Sequence, residues 1–543
     1  MKCRKCGKSD AGFFISWSDG SGPKVGFCES CAEEAGIFAA LRRVESLMHG
    51  FGLESGGLFS ASEISAPVEF ADCCQSCGTT LREFERRFLF GCGECSLVFG
   101  SLISNYLTLL GAGEDGSLGF YRGEPPKCYA ERSKLHAIHN KINEKIVKED
   151  YTGAAKFRDA LNAHEKKITA RRKKSVETGA KSRVSAPAAS PEDLSRILLD
   201  TRSSAGKRDN WLLSQVEIRR NLADFKFPTK SDKVQCLQIK NNIFEYLRKQ
   251  SYGAGRIELS ELKPIERFAI GERFFHRRLN PNATAMINPE TGSTVLINDA
   301  DHVTAGAWSG ERDPLAALEA ARSQLQKLES GAELAFSQRF GYLTTAPKHI
   351  GTGLTVSVLL HLPYSFFHGR TLFWPENAEN ACVRLDSFRG KNLEHHGFFR
   401  VSSPVGFGRT AEEIASGVFA FAEKLVAEQQ EMRGDFKSSE VNRVRNLLPR
   451  ALDHAMRSYR LSYRDVLRLS TFIALADELG VAKFSGFSFD DVIPLMSSPF
   501  IMYRDGRAYS VNHCEKRRAD LFAELVEKWA GVAMTEPAKN KKK

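Results

Sequence analysis

Apolar positions recur at helical spacing over residues 131–168: Leu135, Ile138, Ile142 and Ile146 share one face, then Ala154, Ala155, Phe157, Leu161 and Ile168 resume the pattern. The run Lys148-Glu149-Asp150-Tyr151-Thr152-Gly153 interrupts it. This predicts an antiparallel two-helix hairpin, with small Ala side chains allowing close approach. Further along, the period changes. Val295-Leu296-Ile297 and the run from Thr355 to Leu362 predict strands, and Asp313 to Leu328 returns to helical spacing. Residues from about 205 to 425 therefore read as mixed α+β, and 438–530 as mostly helical. Residues 36–70, rich in Gly and Ser, read as a connector with one short helix. Residues 169–205 are rich in Ala, Ser, Pro and basic residues and lack apolar periodicity, which predicts a flexible basic linker open to trypsin. No run of about 18 apolar residues exists to cross a membrane, and no tandem repeat of the solenoid kind is present.

Composition changes this picture little. At 543 residues with 42% hydrophobic content, the chain can build real cores in several domains. It opens Met-Lys-Cys-Arg-Lys-Cys, without the apolar stretch of a secretory signal, so a cytoplasmic protein is expected. Placement of charge matters more than the net value of +11. Residues 165–183 carry eight Lys/Arg against two Glu, and 535–543 carry four Lys against one Glu. These two segments hold nine of the eleven net charges, so the remainder is near neutral and a nucleic-acid-binding face is not expected.

The cysteines carry chemistry. Nine of the thirteen lie within residues 3–95, and eight of these form four Cys-x2-Cys knuckles. Cys3, Cys6, Cys28 and Cys31 make one set over residues 1–35, and Cys74, Cys77, Cys92 and Cys95 make a second over 73–100. Two knuckles bring four thiolates to one ion, which suits tetrahedral Zn²⁺, and a closed thiolate shell leaves no position for catalytic water. Two structural zinc sites are predicted, supplying folding free energy to modules too small for cores of their own. Gly7 and Gly78 follow two knuckles, where a turn calls for positive φ. Cys73 is either a spare thiol or an alternative ligand, and cross-bracing between the sets stays open. Cys128, Cys236, Cys382 and Cys514 are scattered.

Wording now adds to pattern. Asp150-Tyr151-Thr152-Gly153-Ala154-Ala155-Lys156-Phe157-Arg158-Asp159 resembles the UVR motif, a protein-interaction hairpin of bacterial excision-repair proteins. Behind two four-cysteine modules, it makes residues 1–168 resemble the McsA-type activator of protein-arginine kinase. Gly341 to Leu354, ending Gly351-Thr352-Gly353-Leu354, resembles the phosphagen-kinase signature loop of McsB-type protein-arginine kinases. Asn298-Asp299-Ala300-Asp301-His302 resembles that family's Asn-Glu-Glu-Asp-His motif, and Ser214 through Arg220-Asn221-Leu222 its opening Ser-Arg-x-Arg-x-x-Arg-Asn-Leu segment. Gly408-Arg409-Thr410 and Arg457-Ser458-Tyr459 fit later landmarks. The resemblance implies a phosphagen-kinase-like domain over 206–535, with an antiparallel sheet flanked by helices and a helical region from about 438.

The departures from that pattern are functional. By the resemblance, ATP-binding positions fall at Gln215, Glu217, Phe274, Thr304 and Thr355, where the family carries arginines and, at 274, a histidine. His276 lies near the last of these. The base that takes the guanidinium proton falls at Ala300, the loop cysteine at Ala346, and the flexible-loop glutamate near Phe388 or Arg389. Phosphoryl transfer needs cations around the phosphates, and a guanidinium needs a base before it attacks. What survives, namely Gly351, Gly353, Pro347, Asn298, His302 and Arg220, are residues of turns and packing. The expectation is a catalytically degenerate protein-arginine-kinase-like scaffold or adaptor that does not bind ATP/Mg²⁺ tightly. The alternatives are an active protein-arginine kinase and a nucleic-acid or repair-complex binder. The resemblance implies protein partners through the hairpin and the kinase-like domain, among them Clp-type protease machinery, a transcriptional repressor or a second copy of the chain, in protein quality control or stress response.

Overall fold

The computed structural model describes residues 73–100, 150–162, 210–247, 256–272, 278–288, 291–310, 312–369, 381–388 and 396–531 apart from 405. It also describes isolated positions between 102 and 148 and between 374 and 378, and the backbone of two short strands, Phe13–Ile15 and Val25–Phe27. These two strands pair antiparallel, between the knuckles of the first cysteine set. Cys3, Cys6, Cys28 and Cys31, the linker 169–205, and Phe274, His276 and Arg389 lie outside the described residues.

The C-terminal domain is built on one eight-stranded antiparallel sheet. In chain order its strands are β1 (Trp211–Arg220), β2 (Arg256–Glu258), β3 (Thr284–Asn288), β4 (Ser293–Ile297), β5 (Val303–Ser309), β6 (Leu354–His361), β7 (Arg384–Ser387) and β8 (Phe398–Ser402). Across the sheet they run β7-β8-β6-β1-β5-β4-β3-β2. The expected α+β class and the predicted strands are met, with the second strand running Leu354–His361. Side chains alternate between faces with a period of two. One set, including Val216, Ile218, Val295, Ile297, Val303, Ala305, Val356 and Val358, faces a large apolar core under three helices, Lys233–Leu247, Pro314–Gly331 and Ala411–Gly434.

Local sequence explains where those helices begin. Asp313 accepts a hydrogen bond from the Ala316 N–H at 3.0 Å, and Thr410 and Glu413 cap each other reciprocally, which satisfies amides that the first turn leaves unpaired. The opposite face of the sheet is covered at its two ends. The C-terminal helices Ser438–Arg457, Tyr463–Glu478 and Val511–Ala530 pack a second core on Leu359, Phe388 and Phe398. A smaller core around Ile257, Leu259, Ala285, Ile287 and Leu296 covers the β2 end. Between them, on β6, β1 and β5, lies a polar stripe.

The second cysteine module does not stand apart. Its Phe84, Phe88, Phe90, Phe99 and Ile103 share a core with Phe227, Ala335, Phe340, Leu343, Ile350 and Phe407 of the C-terminal domain. In the hairpin region a helix runs over 151–162, with Ala154 and Leu161 buried and most other positions exposed. Asp150 accepts from the Gly153 N–H at 2.9 Å at its start, and Lys141, helical on the other side of the turn, lies 5.6 Å from the Phe157 ring. Among the described residues, no helix is long and apolar enough to cross a membrane.

Candidate functional site

The four sulfurs of Cys74, Cys77, Cys92 and Cys95 are buried and lie within 4.8 Å of one another. Cys74–Cys92 is 3.7 Å, Cys77–Cys95 3.4 Å and Cys92–Cys95 4.0 Å. A tetrahedron with Zn–S bonds of about 2.3 Å has edges of about 3.8 Å, so the donor set fits a structural zinc ion. Gly78 takes φ +74° and its N–H reaches the Cys74 carbonyl at 2.8 Å, closing the first knuckle as the sequence predicts. The Gly91 N–H donates to Cys95 Sγ at 3.4 Å, and a Cβ at Gly91 would meet Thr79 Oγ1 at 2.3 Å and Cys77 Sγ at 2.7 Å. Crowding their thiols together splits their acidity. Hydrogen bonds from Cys74, then Cys92 and Cys95, hold Cys77 far below the usual thiol range, and contacts with Cys74, then Cys77 and Cys92, push Cys95 far above it. Such a set releases protons when a cation arrives.

This module touches the signature loop directly. The Phe90 N–H donates to the Thr345 carbonyl at 2.8 Å, the Phe227 N–H to the Gly91 carbonyl at 2.8 Å, and Lys230 Nζ to Glu83 at 2.7 Å. The Thr345 N–H in turn donates to Asp301 Oδ1 at 2.6 Å, which Asn221 Nδ2 also reaches at 2.7 Å.

The polar stripe collects the positions singled out in the sequence. Gln215 and Glu217 lie two apart on β1 and share a face. In the sheet register Glu217 pairs with Thr355 on β6, and Arg219 with Thr304 on β5. Four sequence-predicted positions therefore converge on one surface. Arg219, an unassigned position of the opening motif, stands among them. Its Nη2 donates to the Glu217 carboxylate, its Nη1 to Thr355 Oγ1 at 2.7 Å, and its Nε lies 4.0 Å from Asp301 Oδ2. Thr355 also meets His349 Nδ1 at 3.3 Å. Burial pushes the Asp301 carboxyl up, against the opposing pull of the Thr345 N–H and Arg219. Strand alternation alone would have placed Arg219 beside positions 215 and 217; Asp301 is visible in the sequence only as a member of the Asn298–His302 motif, and nothing local signals His349.

The retained motif residues perform structural tasks. Gly351 and Gly353 have φ +93° and +68°, and a Cβ would lie 2.7 Å from the Gly406 carbonyl in one case and 2.5 Å from the Arg219 carbonyl in the other. Arg220 points to the opposite face, over the Tyr342 ring at 3.5 Å, and donates to Glu329 at 2.7 Å and the Thr352 carbonyl at 2.8 Å. Asn298 takes φ +58° to turn β4 into β5, and its Nδ2 donates to the Cys236 carbonyl at 2.7 Å. Ala300 sits exposed at the tip of that turn, and Ala346 precedes the short helix Pro347–His349. Phe388 is buried in the C-terminal core.

Residues 238–432 match the family described as ATP:guanido phosphotransferase, C-terminal catalytic domain. The chain is similar to curated protein-arginine kinases over more than half of its length. It is 26% identical over 337 residues to the protein-arginine kinase of Geobacillus kaustophilus, covering 59% of this chain and 91% of that one. Against the protein-arginine kinase of Halothermothrix orenii it is 23% identical over 281 residues, covering 51% and 80%. Among solved structures, lombricine kinase aligns at 17% identity with a TM-score of 0.35, over 47% of this chain and 74% of that one. The duplicated taurocyamine kinase of Schistosoma mansoni aligns at 14% and 0.42, over 78% and 56%.

Proposed function

We propose that this chain is a catalytically degenerate protein-arginine-kinase-like protein joined to a zinc and UVR activator segment, working as a scaffold or adaptor for other proteins. The observation that carries the reading is the polar stripe. At the positions the resemblance assigns to phosphate-binding arginines it presents Gln215, Glu217, Thr304 and Thr355, side by side on the central strands. Transfer of a phosphoryl group depends on cations where charge spreads over its oxygens, and the loss of one clamping arginine costs about 10³–10⁵ in rate. Ala300, at the position of the proton-accepting glutamate, has no group to take a proton. The retained Gly351, Gly353, Asn298 and Arg220 all serve turns and packing, which supports a fold kept for binding. Partners in protein quality control or stress response, of the Clp-protease or repressor kind, follow from the resemblance.

The test is phosphoarginine analysis by mass spectrometry after incubation with Mg-ATP, on the chain itself and on an added unfolded protein. None is expected, and Ala300→Glu alone should not restore it. Phosphoarginine that appears only with ATP overturns the reading. One observation favours the second reading, an active kinase: Arg219 brings a guanidinium to the stripe from a position the motif does not assign.

A further inference from the structure

We infer that Glu217 is a built-in anion standing where a bound phosphate oxygen would stand, so that the stripe is closed to polyphosphates from within; the inference rests on the degenerate-site reading above. Gln215, Glu217 and Arg219 project from one face of β1, flanked in register by Thr355 and Thr304. Glu217 and Arg219 are both more than nine-tenths buried. The carboxylate accepts from Arg219 Nη2, and Gln215 Nε2 approaches it at 3.5 Å. A guanidinium and a neutral amide are the donors that a phosphate oxygen also takes.

The rest of the guanidinium is engaged as well. Nη1 donates to Thr355 Oγ1 at 2.7 Å, and Nε lies 4.0 Å from Asp301 Oδ2. Asp301 stands farther from the guanidinium than Glu217 does, and its Oδ1 is turned to the Thr345 N–H and Asn221. Glu217 is thus the near anion of a buried cation. A polyphosphate entering here would bring like charge against Glu217 in a desolvated setting, or would have to displace it from Arg219. Directly across from Arg219, the Thr304 hydroxyl is buried without a hydrogen-bond partner among the described residues. Once Glu217 loses its charge, the stripe offers an anion one guanidinium and a hydroxyl donor.

The substitution Glu217→Gln removes the charge and keeps the shape. The full-length chain and its variants are titrated with inorganic tripolyphosphate, followed by calorimetry and by the thermal unfolding midpoint. Wild type should show no binding and no shift. Glu217→Gln should unfold at lower temperature without the anion, bind tripolyphosphate at least about tenfold more tightly than wild type, and regain midpoint as the anion is added. Glu217→Gln combined with Arg219→Ala should lose that response. Glu217→Asp retains the charge but retracts it by one methylene, serves if the glutamine variant does not fold, and should respond between the two. Tripolyphosphate binding by wild type equal to that of the variants, or folded variants with no anion response, overturns the inference. Phosphoarginine measured on the same wild-type sample separates the two failures. Wild type that binds tripolyphosphate yet makes no phosphoarginine sinks only this inference, whereas wild type that makes phosphoarginine sinks the degenerate-site reading.

Discussion

His302 ends the Asn298–His302 turn fully buried. Its Nδ1 accepts from the Leu222 N–H at 2.9 Å, and its Nε2–H donates to the Lys226 carbonyl at 2.9 Å. The rings of Phe225 and Phe227 meet it edge-on. Burial pushes its pKa down to about 4. The folded state therefore holds it neutral while the unfolded chain protonates near pH 6.5, so its contribution is complete above that pH and is lost as pH falls toward 4. Between neutral pH and pH 5 this one group should cost about 2 kcal/mol of stability. His361, pushed down to about 3 by the same cause, adds to the decline. Urea midpoints at the two pH values check the prediction: His302→Gln should be less stable at neutral pH but show a flatter acid decline, and an unchanged decline would refute the assignment. The family resemblance made His302 visible as a motif residue. Its two backbone partners were not, because they lie on a segment some 80 residues away that only the sheet brings close.

At the scale of elements, the cysteine module was legible because a knuckle is local: the Cys-x2-Cys spacing marked the ligands, and the structure gathers Cys74, Cys77, Cys92 and Cys95 into one set. Its docking was not. The bond from Phe90 to Thr345 joins positions that no periodicity relates, and Phe84, Phe88, Phe90 and Phe99 read equally well as an internal core. In the structure they do both. Phe84 stacks on Phe99 at 4.7 Å and on Phe90 at 5.6 Å, and the cluster continues onto Phe340, Leu343 and Ile350. Because metal binding and folding are coupled in such a module, removing the metal should loosen Phe90, then Thr345, then the Asp301 contact behind it. Chelation under reducing conditions, or Cys92→Ser, should lower the unfolding midpoint and speed amide hydrogen exchange over Gly341–Gly351 more than at β2, on the far edge of the sheet. Equal exchange at both places would show that the module is not coupled to the loop. Elemental analysis of the native chain should find two zinc ions, one for each cysteine set.

At the scale of the molecule, two parts that the sequence sets apart share a core in the structure. Composition separates a cysteine-rich N-terminal part from an α+β part, with a basic stretch between, and suggests that residues 205–535 form a unit of their own. The α+β class, the central strands and the C-terminal helices follow from apolar periodicity and stand. Independence of the two parts does not follow, because periodicity reports that a face is buried without saying what buries it. Phe227, Ala335, Phe340, Leu343, Ile350 and Phe407 are covered by the module of residues 73–103. Full burial of a large apolar side chain contributes about 1.5–3 kcal/mol, so uncovering even part of this set removes several kcal/mol from a domain whose total stability is about 5–15 kcal/mol. A fragment beginning at residue 205 should therefore unfold at a lower temperature than one beginning at residue 72, and should bind a hydrophobic dye that the longer fragment does not. Zinc should stabilise the longer fragment alone, since the shorter one lacks all eight knuckle cysteines. If the two fragments melt together and neither binds the dye, the shared core contributes nothing, and the cysteine module is a separate domain resting against its neighbour.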